Sequence, residues 1–247
     1  VITAHPSKPL LYVTATGGDP GKVPGAVVFL NTDGSYQKHQ NINFNDGACY
    51  LSLDKGNRHI LGVSYGNGRL NVYPLDEQGI PGKAVTTIDE GKKEAHCVLL
   101  PPDGKNVYIP YVKGNLAILQ YSYDGNTGKV SPLKPKEAKP PLGSGPRHMA
   151  YHPTLPMVYF SNEQGIGLST YRREANGQLK VEQDISILPP GMSKIGLSAS
   201  DLLITPDGKF LFAGIRGHRH AFSRISRYRV LEDGKAEFLG LTEADQV

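Results

Sequence analysis

The polar and apolar positions of this chain follow one plan that repeats along most of its length. A short apolar strand leads into a tight turn, a second apolar strand, a Gly-rich bend, a third strand and a polar turn containing Gly. The apolar runs are only a few residues long and rich in Val, Ile, Leu and Tyr, which is typical of β-strands and too short for ordinary helices. The pattern therefore predicts an all-β protein.

Five copies of the plan align on the turn between the first and second strands. The aligned positions are Pro6, Asp54, Asp103, Pro153 and Asp207, so successive copies lie 48, 49, 50 and 54 residues apart. A weaker fourth strand follows the polar turn, for example at residues 84–88 and 181–185. A period of about 50 residues with four short antiparallel strands is typical of a β-propeller blade. We therefore predict a single β-propeller domain over residues 1–247, with five four-stranded blades.

The composition fits many tight turns, with 29 Gly and 19 Pro, and the absence of Trp argues against WD40 repeats. The net charge of +4 comes from scattered basic residues, so we expect no nucleic-acid partner. No apolar run is long enough to span a bilayer, and no membrane partner is expected. Cys49 and Cys97 lie one repeat apart and are expected to be small buried residues, which favours the cytoplasm. The periplasm stays open because the chain begins at Val1 rather than Met.

Polar residues recur where blade geometry places a shared rim. In a propeller, the segment before the first strand and the segment after the second strand reach the same face of the disc. Counting from the aligned turns, the chemically active residues at these positions are His96, Lys113, Arg147, Asn162, Glu163, Asp201 and Arg216. They are expected to converge, although each taken alone could equally be a solvated or salt-bridged rim residue.

This set indicates an anionic small molecule as the ligand. Arg147 and Arg216 can each grip a planar anion with two hydrogen bonds, which suits phosphate or carboxylate groups. Glu163 and His96 are plausible proton-transfer groups. We predict that Lys113, His148, Asn162 and Asp201 contribute to substrate binding. No metal ligand set and no organic cofactor are predicted.

Several segments resemble one known family of propellers. They are residues 145–148 (Gly-Pro-Arg-His), 151–153 (Tyr-His-Pro), 159–163 (Tyr-Phe-Ser-Asn-Glu), 199–211 followed by Arg216, and the Ala-His pair at 95–96 before Pro-Asp-Gly at 102–104. Together they are similar to the lactonase family of seven-bladed β-propellers, which includes 6-phosphogluconolactonases and fungal 3-carboxy-cis,cis-muconate lactonizing enzymes. The resemblance implies seven blades, so the five copies found here predict a ring that is incomplete at both ends.

The resemblance also implies an active site of one His, two Arg and one Glu, which fall on His96, Arg147, Arg216 and Glu163. The function that it implies is hydrolysis of an anionic sugar-acid lactone, with 6-phosphogluconolactone as the leading substrate. The arginines would bind the anionic substituent and the developing oxyanion, while Glu163 or His96 would activate water. Two alternatives stay open: a cycloisomerase that closes a carboxymuconate to a lactone, and a non-enzymatic propeller that binds a protein or sugar. The oligomeric state, monomer or homo-oligomer, is undetermined.

Overall fold

The computed structural model describes residues 1–15, 23–218 and 222–244. Over these ranges the chain is almost entirely β-structure, with one short 3-10 helix at Lys113–Asn115. The strands are β1 (Ile2–Ala4), β2 (Leu10–Thr14), β3 (Val23–Leu30), β4 (Tyr36–Phe44), β5 (Tyr50–Leu53), β6 (His59–Val63), β7 (Leu70–Pro74), β8 (Thr86–Ile88), β9 (Asn106–Tyr111), β10 (Ala117–Asp124), β11 (Lys129–Ala138), β12 (Pro146–Tyr151), β13 (Met157–Asn162), β14 (Gly167–Arg173), β15 (Leu179–Ser186), β16 (Leu197–Ile204), β17 (Phe210–Gly217), β18 (Ser223–Val230) and β19 (Ala236–Ala244). The all-β prediction is confirmed.

Within the described ranges the strands form five sheets in chain order, and inside each sheet every strand pairs with the next along the sequence. Four sheets have four strands, namely β1–β4, β5–β8, β12–β15 and β16–β19, and their strands are antiparallel. Each sheet corresponds to one predicted repeat of about 50 residues, so the prediction of five blade-like repeats is confirmed.

The third sheet differs from the prediction of four strands. It contains β9, β10 and β11, and the place of a first strand is taken by an isolated bridge between Leu99 and Tyr108. Pro101 and Pro102 follow Leu99 after one intervening residue. Proline has no N–H to donate to a neighbouring strand, so the ladder cannot extend through these residues.

The turn between the first and second strands of a repeat is closed by a side-chain acceptor. In the fourth sheet, Nδ1 of His152 accepts the N–H groups of Thr154 and Leu155 at 3.2 and 2.9 Å. In the fifth sheet, the carboxylate of Asp207 accepts the N–H of Lys209 at 3.0 Å. Imidazole and carboxylate thus perform the same task, which is to satisfy backbone donors exposed by a tight turn.

The chain divides into two compact units. The first comprises Val1–Ile109 with Tyr121–Pro132, and the second comprises Pro110–Gln120 with Leu133–Val247. In the first unit, the sheets β1–β4 and β5–β8 share a hydrophobic core. Its buried members are Leu10, Tyr12, Val27, Phe44, Ala48, Leu51, Ile60 and Tyr73. The hydroxyl of Thr3 also donates to the carbonyl of Leu51 at 2.8 Å, which links the first strands of the two sheets.

In the second unit, the sheets β12–β15 and β16–β19 share a core of the same kind. Its buried members include Ala150, Met157, Tyr159, Leu168, Ile187, Ala199, Leu211, Ile215 and Tyr228. Buried residues alternate with more exposed ones along most of β17, whereas β13 is buried along its whole length. Burial on both faces is typical of a strand that is covered by neighbouring sheets.

A tyrosine on the second strand of one sheet bonds to a glycine turn of the next sheet in both units. Tyr12 donates to the carbonyl of Gly79 at 3.0 Å, and Tyr159 donates to the carbonyl of Gly234 at 2.8 Å. Both glycines have positive φ, +86° and +83°, a conformation that other residues rarely adopt. The repeat therefore supplies two buried hydrogen bonds at equivalent positions, each of which orients one sheet on its neighbour.

Candidate functional site

Glu163 follows directly after β13, where the chain bends toward β14. Its backbone N–H donates to the carbonyl of Gly145 at 2.7 Å, and its own carbonyl accepts the N–H of Ala199 at 3.2 Å. Gly145 directly precedes β12, the first strand of its own sheet, and Ala199 lies in β16, the first strand of the next sheet. The backbone of Glu163 is therefore hydrogen-bonded on both sides. The side chain is only 14% exposed. Its position is thus fixed from both sides.

Gly145 and Gln164 shape the chain on either side of this glutamate. Gly145 has a φ of +65°, and the side chain of Gln164 occupies the space that a Cβ at Gly145 would need. Gln164 also accepts the backbone N–H of Lys113 at 3.2 Å. The glycine of the Gly-Pro-Arg-His segment is therefore required both by its backbone conformation and by close packing.

The carboxylate of Glu163 pairs with two arginines through a single oxygen. Oε2 lies 2.8 Å from Nε of Arg147 and 3.1 Å from Nη2 of Arg216. Arg147 lies in β12 and is 12% exposed, whereas Arg216 lies in β17, is 38% exposed and also donates to the carbonyl of Ala199 at 3.2 Å. Two guanidinium groups that converge on one carboxylate oxygen are also suited to hold an anionic ligand.

The pKa of Arg147 reflects the charged groups around it. Burial lowers the pKa of Arg147, and the nearby Arg216 lowers it further, while Glu163 and Asp201 act in the opposite direction. Guanidinium groups stay charged at any pH where proteins fold. The two carboxylates therefore offset part of the repulsion between the guanidinium groups.

His148 and Asp201 form a second charged contact in the same unit. Nδ1 of His148 lies 2.7 Å from Oδ1 of Asp201. Burial lowers the pKa of His148, Arg147 and Arg216 act in the same direction, and the hydrogen bond with Asp201 opposes them. The hydrogen bond from His148 in turn holds the pKa of Asp201 below its ordinary value. At neutral pH this pair is a neutral imidazole bonded to a carboxylate.

Two β-bulges produce this arrangement. The register of β12 against β13 shifts between Pro146 and Met149, and that of β16 against β17 shifts between Ala199 and Leu202. Arg147 and His148 lie in the first bulge, and Asp201 lies in the second. A bulge places two neighbouring side chains opposite one residue and redirects them. The repeat alignment did not predict the bulges, although the adjacent polar pair of Arg147 and His148 breaks the alternation expected of a regular strand.

A buried serine connects the two bulges. The backbone N–H of His148 donates to Oγ of Ser161 at 3.3 Å, and that hydroxyl donates to the carbonyl of Ser200 at 2.7 Å. Ser161 is fully buried in β13. It was not among the residues singled out from the sequence, because a small hydroxyl within an apolar strand carries no distinctive signal.

The structure places two other predicted binding residues differently. Asn162 is buried, and its amide donates to Oγ of Ser169 at 2.5 Å within its own sheet, with Asp184 accepting at 3.4 Å. Lys113 is exposed in the 3-10 helix, beside Gln164. Asn162 is therefore directed to Ser169 and Asp184 rather than to the arginine cluster. The substrate-binding roles of both residues remain predictions.

His96 lies in the first unit, and its surroundings there are aromatic. Its ring packs edge-to-face against Tyr65, with ring centroids 5.6 Å apart. The neighbouring Cys97 is fully buried, and the thiol of Cys49 donates to the carbonyl of Ala95 at 3.1 Å. The structure thus orients His96 by ring packing, and its catalytic role remains a prediction.

Over residues 1–15, 23–218 and 222–244, no three His, Cys, Asp or Glu side chains are grouped closely enough to hold a metal ion. No helix within the same ranges is long and apolar enough to cross a membrane.

The sequence of this chain is similar to those of several curated bacterial proteins. The chain is 32% identical over 189 residues to a protein of Pectobacterium carotovorum named 6-phosphogluconolactonase, and 31% identical over 187 residues to one of the same name from Klebsiella pneumoniae. These alignments cover 76% and 75% of this chain but 54% of each relative. The chain therefore spans about half the length of the curated relatives it matches.

Comparison with solved structures and with family models addresses the fold. A periplasmic gluconolactonase of Pseudomonas aeruginosa superposes with a TM-score of 0.82 at 21% identity, over 98% of this chain and 71% of that one. A family model described as lactonase, 7-bladed beta-propeller, matches residues 1–246. Because that model spans nearly the whole sequence, the chain belongs to the lactonase family of seven-bladed β-propellers, and its fold class is the β-propeller predicted from the repeats.

Proposed function

We propose that this protein hydrolyses the lactone of an anionic sugar acid, with 6-phosphogluconolactone as the leading substrate. The observation that carries the proposal is the pair of guanidinium groups, Arg147 and Arg216, that share one carboxylate oxygen of Glu163. Relatives about 31% identical are named 6-phosphogluconolactonase, which supports the same substrate class. The substrate would be a small molecule that carries phosphate or carboxylate.

The arginines have two tasks in this reaction. One guanidinium binds the anionic substituent of the substrate, and the other lies where negative charge grows on the carbonyl oxygen during attack by water. Positive groups that are already aligned need no reorganisation when that charge develops. Glu163 keeps both guanidinium groups aligned before substrate arrives. From the sequence, Glu163 or His96 would handle the proton.

A substrate panel tests the proposal directly. The protein is incubated with 6-phosphogluconolactone, unphosphorylated gluconolactone and 3-carboxy-cis,cis-muconate, and the products are separated by chromatography. We expect hydrolysis of the lactones, with a higher kcat/KM for the phosphorylated one. Conversion of carboxymuconate alone would replace the hydrolase with the cycloisomerase. No turnover of any compound would overturn the enzymatic proposal and favour a binding module.

A matched pair of variants tests the site. Arg216→Gln and Arg229→Gln remove the same charge from β17 and β18 of one sheet, but Arg229 is 58% exposed and pairs with the exposed Glu237. We expect Arg216→Gln, like Arg147→Ala and Glu163→Gln, to lower kcat/KM by about 100-fold or more, the scale for losing one transition-state donor. Arg229→Gln should match the wild type. Equal activity of Arg216→Gln and Arg229→Gln would show that the site is assigned wrongly.

We also propose the cytoplasm as the compartment. The sequence has only two cysteines, which do not form a disulfide framework of the kind common in exported domains. A protein of the same fold is named a periplasmic gluconolactonase, so the fold itself is compatible with either compartment.

A further inference from the structure

The contact between His148 and Asp201 defines which ring nitrogen is basic. An ionised carboxylate can only accept hydrogen bonds, so the proton of the 2.7 Å contact resides on Nδ1 of His148. In a neutral imidazole the other nitrogen, Nε2, then carries the lone pair. The pair therefore selects one tautomer of the ring, in the manner of a carboxylate that orients a catalytic histidine.

The backbone beneath this pair is held firmly. His148 and Asp201 lie in two separate bulges, and Ser161 connects the bulges through the N–H of His148 and the carbonyl of Ser200. Asp201 additionally accepts the N–H of Leu202 at 2.9 Å. The imidazole is 15% exposed. A ring that is fixed in position and in tautomer needs little reorganisation before it accepts a proton.

The carboxylate of Glu163 is engaged by both arginines. Its Oε2 lies 2.8 and 3.1 Å from two cationic groups. Its contacts therefore favour a positioning role, namely the alignment of Arg147 and Arg216.

We propose that His148 is the general base of the reaction and that Asp201 is its positioning residue. The substrate carbonyl would bind beside Arg147 and Arg216. This proposal rests on the lactone hydrolysis proposed above. Within the described part of the chain, the charged groups that act on the imidazole include Asp201, Arg147 and Arg216, and both arginines pair with Glu163. Burial together with the arginines lowers the pKa of His148, so the ring is in its basic form at neutral pH.

The proton balance of the step is simple. Nε2 of His148 takes a proton from water while the water oxygen forms a bond to the lactone carbonyl carbon, and the carbonyl π electrons move onto oxygen beside the guanidinium groups. When this intermediate collapses, the C=O bond re-forms and the bond from the carbonyl carbon to the ring oxygen breaks. The imidazolium then returns its proton to that oxygen, giving a carboxylic acid and an alcohol.

The first test compares two buried histidines of the same sheet. His148→Gln and His152→Gln make the same change in β12 and in the turn that follows it, and His152 serves as the control because its Nδ1 accepts two backbone N–H groups of that turn. We expect kcat for 6-phosphogluconolactone to fall by about 100-fold to 10,000-fold in His148→Gln with little change in KM, the usual range for loss of a general base. His152→Gln should retain the wild-type kcat in its folded fraction.

Chemical rescue and a pH profile separate proton transfer from a structural role. Added imidazole should restore activity at least 10-fold to His148→Ala and leave the wild type unchanged. The wild-type kcat/KM should fall at acid pH with an apparent pKa below the ordinary value of 6.5. Because Asp201 raises the pKa of His148, Asp201→Asn should move this fall to lower pH and also lower the plateau.

The outcomes distinguish this proposal from the proposed function. If the wild type hydrolyses lactones and His148→Gln does so equally well, or if the acid limb does not move in Asp201→Asn, the hydrolase stands and His148 is not its base. If the wild type hydrolyses no lactone, the function itself is overturned, and the role of His148 with it. Loss of kcat together with imidazole rescue supports both.

Discussion

Replacing Glu163 by Gln should destabilise the protein much more than an ordinary surface change. The substitution keeps the size of the side chain but removes the carboxylate oxygen that lies within 3.1 Å of both Arg147 and Arg216. Two guanidinium groups are then left close together without their shared counter-ion. Breaking a buried ion pair by removing one partner typically costs about 3–5 kcal/mol. Arg216 is 38% exposed and partly screened by water, so we expect about 3 kcal/mol.

The assay is urea unfolding followed by far-UV circular dichroism and by the fluorescence of the 13 tyrosines, since the chain has no Trp. Glu237→Gln is the matched control, because Glu237 is 51% exposed and pairs with Arg229 at 3.4 Å. Exposed pairs contribute about 0–1 kcal/mol, so the control should stay near the wild type. An unchanged dependence of the unfolding free energy on urea would show that the same surface is exposed in all variants.

A double-mutant cycle checks the cause of the loss. Arg147→Met removes one of the two cations, so Glu163→Gln should cost less in that background by about 1–3 kcal/mol, the range for groups in direct contact. The reasoning fails if Glu163→Gln costs less than about 1 kcal/mol, or if the two changes add within about 0.5 kcal/mol. Either result would mean that the carboxylate does not hold the two guanidinium groups together.

Two further predictions concern the scaffold and the compartment. Tyr159→Phe removes the hydrogen bond to Gly234 and leaves a buried carbonyl without that donor, so urea unfolding should show a loss of about 1–2 kcal/mol. Tyr36→Phe, at an exposed tyrosine of β4, should lose much less, and an equal loss in both would contradict the proposed role of the hydroxyl. Fractionation of cells of the source organism should recover the lactonase activity with cytoplasmic marker enzymes. Recovery with periplasmic markers would overturn the proposed compartment.

The repeat could be recognised from the sequence because its causes are local. Turns such as the one at Asp207 need a short polar acceptor and a glycine, and strands such as β13 need β-branched or aromatic residues, so both leave a clear periodic pattern. The reduced third sheet depends on the same kind of signal. Pro101 and Pro102 stand where the first strand should continue, and proline has no N–H to donate to a ladder.

The contacts of the candidate site are harder to predict from the sequence, because they join residues that are distant along the chain. His148 meets Asp201 across 53 positions, and Glu163 meets Arg216 across a similar separation. Counting from the aligned turns predicted that such residues share a rim, but not which of them touch. Asn162 illustrates the limit: it adjoins Glu163 in sequence, yet its amide bonds to Ser169 within its own sheet.

The position six residues before each aligned turn shows how one scaffold accommodates charged residues in only some of its repeats. In the second and third repeats this position is Ala48 and Cys97, both buried. In the fourth and fifth repeats it is Arg147 and Asp201, and there the first strand contains a bulge at that point. A charged side chain placed in the apolar surroundings of Ala48 would incur a large cost in desolvation. The bulges change the direction of these side chains. The bulged backbone and the charged residue type therefore occur together. The periodicity of the sequence reveals the charged residue but not the bulge.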